Sequence, residues 1–225
     1  MKKVILFIAI IAMVSPSFAD DFPSKTRTYS FLKKNEGGEK CFDENTHIIN
    51  IGIGFGSRSY HSILRGAAGY RYGRTPSFSL TYEQPWKQKL GPGYLGVGAY
   101  LGFQHEYYGY DYSYYNNLLV YNTYYYKHSW NYFSVAARGV YHWDVLNSKN
   151  AEVYAGVIVG MRFQIHNYET NDPGNKDPYT YRSSFAYPAY SVFAGARWYF
   201  VKNFGLYAEA GYGTSYINGG LSIKF

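Results

Sequence analysis

Five charged residues set the chemical question in this sequence. Arg138, Arg162 and Arg197, together with Glu83 and Glu209, stand in stretches whose neighbours are apolar or small. A charge taken out of water needs a partner, because an uncompensated buried ion is costly. Arg197 and Glu209 flank the stretch FVKNFG, which reads as a tight hairpin centred near Lys202 and Asn203. That centre makes them cross-strand neighbours. Arg138 falls at a similar height, Glu83 at the foot of its strand, and Arg162 higher. The set reads as an ion cluster that fills and stiffens an interior. Its alternatives are a charged constriction that gates passage, or a proton relay.

Two further groups suit binding rather than reaction. Ten of the twenty residues from Tyr107 to Tyr126 are tyrosine, and Tyr108, Tyr110, Tyr112 and Tyr114 keep a period of two. Tyrosine offers large area, little conformational freedom to lose and a hydroxyl, which suits a binding surface for protein or glycan. The same pattern also fits self-packing of a protruding hairpin. Arg58, Arg65, Arg71 and Arg74 form a basic first loop, with no Asp or Glu between Glu44 and Glu83. The planar guanidinium fork suits phosphate, so lipid or glycolipid headgroups are the expected partners. Nucleic acid is not, since no recognition module is visible.

Catalysis finds little support. The six histidines lack metal-site spacing, and no G-x-S-x-G occurs. His105 and Glu106 are adjacent, so on a strand they point to opposite faces. NDPGNKDP (171–178) lacks calcium-loop spacing and reads as a turn-rich loop. No enzyme, cofactor or metal is expected.

The elements that must position these groups follow from period. Charged residues are 16% of the 225 and aromatics 21%, with 29 Tyr and 24 Gly, against about 25% charged in ordinary domains. From Val153 the odd positions Val153, Ala155, Val157, Val159, Met161, Phe163 and Ile165 are apolar. Their neighbours Tyr154, Gly156, Ile158, Gly160, Arg162, Gln164 and His166 are mostly small or polar. Leu95 to Gln104 repeats the pattern. Alternation over roughly ten or more residues fits a strand tilted across a bilayer. Eight strands are expected, at 46–58, 75–83, 94–106, 129–142, 151–166, 184–200, 205–213 and 215–225. Long connections follow strands one, three and five. Shorter ones, Gln84 to Gly93, Trp143 to Asn150 and Val201 to Asn203, follow strands two, four and six. This is the plan of an eight-stranded antiparallel transmembrane β-barrel, with Tyr94, Trp143, Trp198 and Tyr199 as interface girdle residues.

Residues 1–19 carry Lys2 and Lys3, an apolar run Val4 to Val14, and small Ser17 and Ala19. They read as a secretory signal peptide. Its removal takes the net charge from +7 to +5. Residues 20–45 read as a flexible periplasmic extension, with a plug in the barrel foot as the alternative, and residues 46–225 as the barrel. Cys41 has no partner in the chain, so any disulfide would be intermolecular.

The final strand SYINGGLSIKF ends on Phe225, which resembles the closing strand of bacterial outer-membrane barrels. VFAGARWYFVKNFGLYAEAGYGTSYINGGLSIKF (192–225), LGPGYLGVGAYLGF (90–103) and SVAARGVYHW (134–143) are similar to segments of small "porin-family" barrels of the OmpX and OmpW type. That resemblance implies an outer-membrane location in a Gram-negative cell, delivery by the barrel-assembly machinery, and no catalytic residue. The expected role is structural and surface-directed, through the Tyr-rich and basic loops of a monomer. A narrow passive channel for ions or small solutes is the alternative.

Overall fold

The computed structural model describes residues 40–56, 70–115, 121–175 and 183–225. The stretches 1–19 and 20–39, and with them Arg58 and Arg65, lie outside these. Alternation becomes nine strands: β1 (Ile48–Phe55), β2 (Tyr70–Arg74), β3 (Ser77–Leu90), β4 (Gly93–Tyr115), β5 (Tyr121–Trp143), β6 (Ala151–Thr170), β7 (Ser183–Tyr199), β8 (Phe204–Tyr212) and β9 (Ile217–Lys224). Eight of them close an antiparallel ring in the order β1, β3, β4, β5, β6, β7, β8, β9 and back to β1. His47 and Phe225 exchange backbone hydrogen bonds of 2.8 and 3.0 Å where the ends of the ring meet. Closure matters because an open edge has no partner in hydrocarbon.

The outer face is apolar and the inner face is small, polar or charged. Ile51, Ile53, Phe78, Leu80, Leu101, Phe133, Val135, Val157, Val192, Leu206 and Leu221 are all exposed on the outside, and Val159 is 63% exposed. Inside lie Asn50, Ser79, Thr81, Ser134, Ser191 and Ser222, all buried. This inversion of a soluble protein is the construction of a transmembrane barrel. The fold is therefore the eight-stranded antiparallel transmembrane β-barrel that the alternation predicts. No helix among the described residues is long and apolar enough to cross a membrane.

Several boundaries depart from the sequence expectation. β3 runs on to Leu90 through a register shift between Pro85 and Lys89. The expected connection Gln84 to Gly93 is therefore only Gly91 and Pro92. β4 and β5 each span 23 residues and stay in register from Gly93↔Trp143 to Tyr115↔Tyr121. They rise beyond the ring as a two-stranded blade. β2 is not a loop but a strand that pairs with the upper part of β4, continuing the line of β3. The register slips by one between Arg74↔Glu106 and Phe78↔Phe103. At the slip, Thr75 accepts the His105 N–H through its hydroxyl at 3.0 Å, and Pro76 has no N–H to offer. Tyr94 and Tyr199 are not girdle residues. They share the parity of Tyr100 and Arg197 and are buried inside, whereas Trp143 and Trp198 are exposed outside.

Three short turns and the ring's two chain ends share one end of the barrel, its foot. The blade and the other connections form the rim. An arginine placed at Val159, mid-height on the outer face of β6, is expected to cost about 2–4 kcal/mol in a bilayer. Urea titration of Val159→Arg in lipid vesicles measures it, and an unchanged midpoint would count against a lipid-facing position.

Candidate functional site

The lumen charges come from five strands. Glu83 stands on β3, Arg138 and His142 on β5, Glu152 and Tyr154 on β6, Arg197 on β7 and Glu209 on β8. Alternation turns each of them inward. Glu83 sits at the centre and receives both arginines. Arg138 Nε donates to its Oε1 at 2.7 Å, and Arg197 Nη2 donates to Oε1 and Oε2 at 2.6 and 2.7 Å. Arg197 Nη1 also donates to Glu152 Oε1 at 2.8 Å. Arg138 Nη2 pairs with Glu209, whose Oε1 also accepts the Tyr154 hydroxyl at 2.9 Å. His142 Nδ1 lies 2.9 Å from Glu152 Oε2, and its Nε2 is 3.7 Å from Glu83 Oε2. Three carboxylates and two guanidiniums thus share the middle of the lumen, with His142 between Glu83 and Glu152. The guanidiniums are also roofed by rings, Arg138 over Phe193 at 4.0 Å and Arg197 over Tyr154 at 4.1 Å. Both contacts favour a desolvated cation.

The structure brings together four of the five predicted lumen charges and separates the fifth. Arg162 sits higher and donates from Nη2 to Gln104 Oε1 at 3.1 Å. The predicted direct pairing of Arg197 with Glu209 is replaced. The hairpin is centred at Lys202, so Arg197 stands opposite Tyr207, and Glu209 opposite Gly195. A turn centre displaced by half a residue from the assumed one slips the register by a residue. Glu152 and His142 were missed, although each had a signal. Glu152 lies directly opposite Arg197 in the ladder, and His142 shares a face with Arg138 four residues earlier.

The middle of the lumen is packed. Tyr100, Ala136, Val140, Tyr154, Ile158 and Phe193 form an apolar core inside the ring. Neighbouring side chains lie over inward glycines. A Cβ at Gly52 would collide with the Tyr207 hydroxyl, and one at Gly195 would come within 2.9 Å of the Tyr154 ring. Two voids beside this packing, one against Phe42 and one against Tyr100, are each about 10 Å³, about one water.

The foot is sealed by the chain that precedes β1. Phe42 stacks on His142 with centroids 3.7 Å apart and packs against Ile48 and Tyr94. Lys40 bridges to Asp144 at 2.7 Å, and Lys224 Nζ donates to the Cys41 carbonyl at 3.2 Å. Residues 40–42 thus pack into the foot of the barrel. Cys41 is 4% exposed, which closes the route to an intermolecular disulfide while the plug is seated. Burial, aided by the Glu152 charge, pushes its thiol up to about 12.

At the rim the predicted tyrosines share one face. Along β4 Tyr108 meets Tyr110 and Tyr112 meets Tyr114, and the row meets β5 through Tyr110–Tyr126 at 4.9 Å and Tyr114–Tyr124 at 5.7 Å. Tyr112, Tyr114, Tyr115, Tyr121 and Tyr125 remain exposed. Of the predicted basic loop, Arg71 pairs with Asp111 at 2.7 Å on the outside of the blade. Arg74 turns inward instead and donates to Gln104 Oε1 at 2.7 Å. His105 and Glu106 diverge, the first to Asn131 at 2.9 Å and the second to the Tyr72 hydroxyl at 2.9 Å. Among the described residues no group of three His, Cys, Asp or Glu side chains is arranged to hold a metal.

Removing the central carboxylate should cost more than removing the peripheral one. Glu83→Ala strands two buried guanidiniums and is expected to lose about 3–5 kcal/mol. Glu209→Ala strands only Arg138 on one side and should lose less. Thermal unfolding in detergent micelles ranks them, and equal or reversed losses would contradict a Glu83-centred cluster. Cys41 gives a second check. The folded state holds its proton more tightly than the ordinary value of 9.0. The resulting stabilisation is present below about pH 9 and lost as pH rises towards 12. Alkylation at pH 8 should therefore be slow in the native barrel and fast in urea. Equal rates would mean the plug does not seat.

No family model matches the chain, and no curated protein matches it significantly. Among solved structures, Ail, the attachment invasion locus protein of Yersinia pestis, in complex with the heparin analogue sucrose octasulfate, is similar at 14% identity and a TM-score of 0.39. The alignment covers 81% of this chain and 100% of that one. The N-terminal β-barrel domain of Pseudomonas aeruginosa OprF is similar at 15% identity and a TM-score of 0.38, covering 84% of this chain and all of that domain.

Proposed function

We propose that this protein is a bacterial outer-membrane barrel whose lumen is a structural core and whose rim is its working surface. The observation that carries the reading is the filled lumen. Three carboxylates, two guanidiniums and the ring of Tyr154 occupy its middle, and Phe42 stacked on His142 occupies its foot. The apolar outer belt supports a place in a membrane. The apolar run of residues 1–19 supports export, and the terminal strand supports handling by the barrel-assembly machinery. The short-turn foot would then face the periplasm and the blade the outside. No catalytic group is assigned, because the polar side chains of the rim pair off in different directions.

The blade is the proposed contact surface for a protein or glycan on another surface. Tyr112 and Tyr114 on one side of the blade and Tyr115, Tyr121 and Tyr125 on the other are exposed, and the ladder between them holds both faces rigid before any partner arrives. Rigid tyrosines lose little freedom on binding. Arg71 and Lys127, on the outer side of the blade beside His105, Tyr107 and Tyr125, line a groove of about 460 Å³. They are placed to meet glycolipid phosphates at the membrane surface. Each also faces a carboxylate, Asp111 at 2.7 Å and Glu169 at 3.6 Å. These exposed pairs are weak enough to exchange for phosphate.

Two measurements separate this from a channel. In a planar bilayer the verified, heat-modifiable barrel should show no steady conductance, and Phe42→Ala should remain silent because the ion cluster still blocks the bore. Steady single-channel conductance of the wild type would establish the passive channel instead. Replacing Tyr112, Tyr114, Tyr121 and Tyr125 with Ser should leave folding intact and reduce adhesion of expressing cells to protein- or glycan-coated surfaces several-fold. Undiminished adhesion would remove the blade from the function.

A further inference from the structure

The wall of the barrel is uneven at the rim. β7 runs on to Ser183, while β8 stops at Tyr212 opposite Val192, and β9 begins at Ile217 after a short turn. The turn hugs the β7 backbone so closely that a Cβ on Gly213, whose φ is +137°, would strike the Tyr190 carbonyl. A notch results beside the upper part of β7. A cavity of about 150 Å³ fills it. Its lining comes from both faces of the wall: Arg162, Tyr187, Ala189 and Thr214 from the lumen side, Tyr190 and Tyr212 from the outside.

Arg162 is the charge in this notch that the ion cluster does not use. Its Nη2 meets only a neutral acceptor, Gln104 Oε1, at 3.1 Å, and that oxygen already accepts from Arg74 at 2.7 Å. Its guanidinium carbon lies 4.6 Å from the Tyr132 ring centroid. Its Nε is buried and makes no hydrogen bond. A guanidinium that pairs with no carboxylate and lines a cavity is a receptor for an oxyanion. Outside the notch the exposed apolar side chains of Val192 and Ile217 continue from Tyr190 and Tyr212.

We propose that the notch binds a phosphate-class anion carried by an amphiphile. The headgroup sits on Arg162 and the chain leaves over Tyr190 and Val192. The anion site stands on the notch geometry alone, while the amphiphilic source also rests on the membrane reading.

The test is calorimetric titration of the refolded full barrel in neutral maltoside micelles with dodecyl phosphate, with inorganic phosphate and with dodecanol. Dodecyl phosphate should bind saturably at one per barrel, and at least tenfold more tightly than either control. Arg162→Gln should weaken it about tenfold, the effect of losing one charge-assisted contact. Arg162→Lys should fall between. Ala189→Phe, which fills the cavity and leaves Arg162 in place, should weaken it too, and so keeps the test open if Arg162→Gln fails to fold. Heat-modifiable migration checks folding separately, so loss of binding is not confused with loss of the barrel. Inorganic phosphate binding as tightly, and lost in Arg162→Gln, would overturn the amphiphile and leave a soluble anion. Binding that ignores both Arg162→Gln and Ala189→Phe, or no saturable binding, would overturn the site.

Discussion

The structure depends on Glu83. In a barrel whose outside is apolar, a charge that alternation turns into the packed middle of the bore must be neutralised there. An eight-stranded bore has room for side chains and little else. Glu83 accepts from both Arg138 and Arg197. It thereby joins β3 to β5 and β7 across the lumen rather than along the wall. The remaining carboxylates then take the free edges of the two forks, Glu209 on Arg138 and Glu152 on Arg197. A wall held only by neighbour-to-neighbour ladders can breathe. One tied across its diameter at a shared carboxylate is held at a fixed width. The rings of Phe193 and Tyr154 cover the guanidiniums and raise the strength of every pair by excluding water.

The consequence is a molecule with two unlike ends. At the foot, Phe42 and Cys41 continue the packed interior down to the short turns. At the rim the interior loosens. Arg162 meets an amide instead of a carboxylate, the wall drops at β8, and two strands leave the ring altogether.

Much of the fold was legible because period two is a strong signal when a strand faces hydrocarbon on one side. Leu95 to Gln104 and Val153 to His166 show it directly. The membership of Glu83, Arg138, Arg197 and Glu209 in one interior followed from the same parity. Their partners did not, because pairing depends on register, and register depends on the turn. Moving the centre of the FVKNFG hairpin onto Lys202 was enough to send Arg197 away from Glu209. Arg71 and Arg74 were not told apart because their stretch read as a loop; on β2 they stand three residues apart and so face opposite ways. Tyr94 and Tyr199 show the opposite failure. Their parity with Tyr100 and Arg197 already placed them inside, and position near a strand end was the poorer guide. Phe42 and Cys41 had no readable signal. A single ring outside any period gives no hint that it caps a bore formed by residues far along the chain.

The blade follows from the same rule of pairing carried beyond the membrane. A two-stranded ribbon alone is only marginally stable in water. Here it is an unbroken extension of two ring strands, in register from the foot turn to Tyr115 and Tyr121. The cost of aligning the strands is met inside the barrel, where the ladder is fixed. The tyrosines add cross-strand contacts on top of that alignment, and β2 and the upper part of β6 brace the base on either side. The ribbon can therefore carry a surface of exposed aromatic rings without a core of its own. Tyrosine is the residue that such a surface requires. Its ring packs against the ring on the neighbouring strand, and its hydroxyl keeps the outer edge compatible with water.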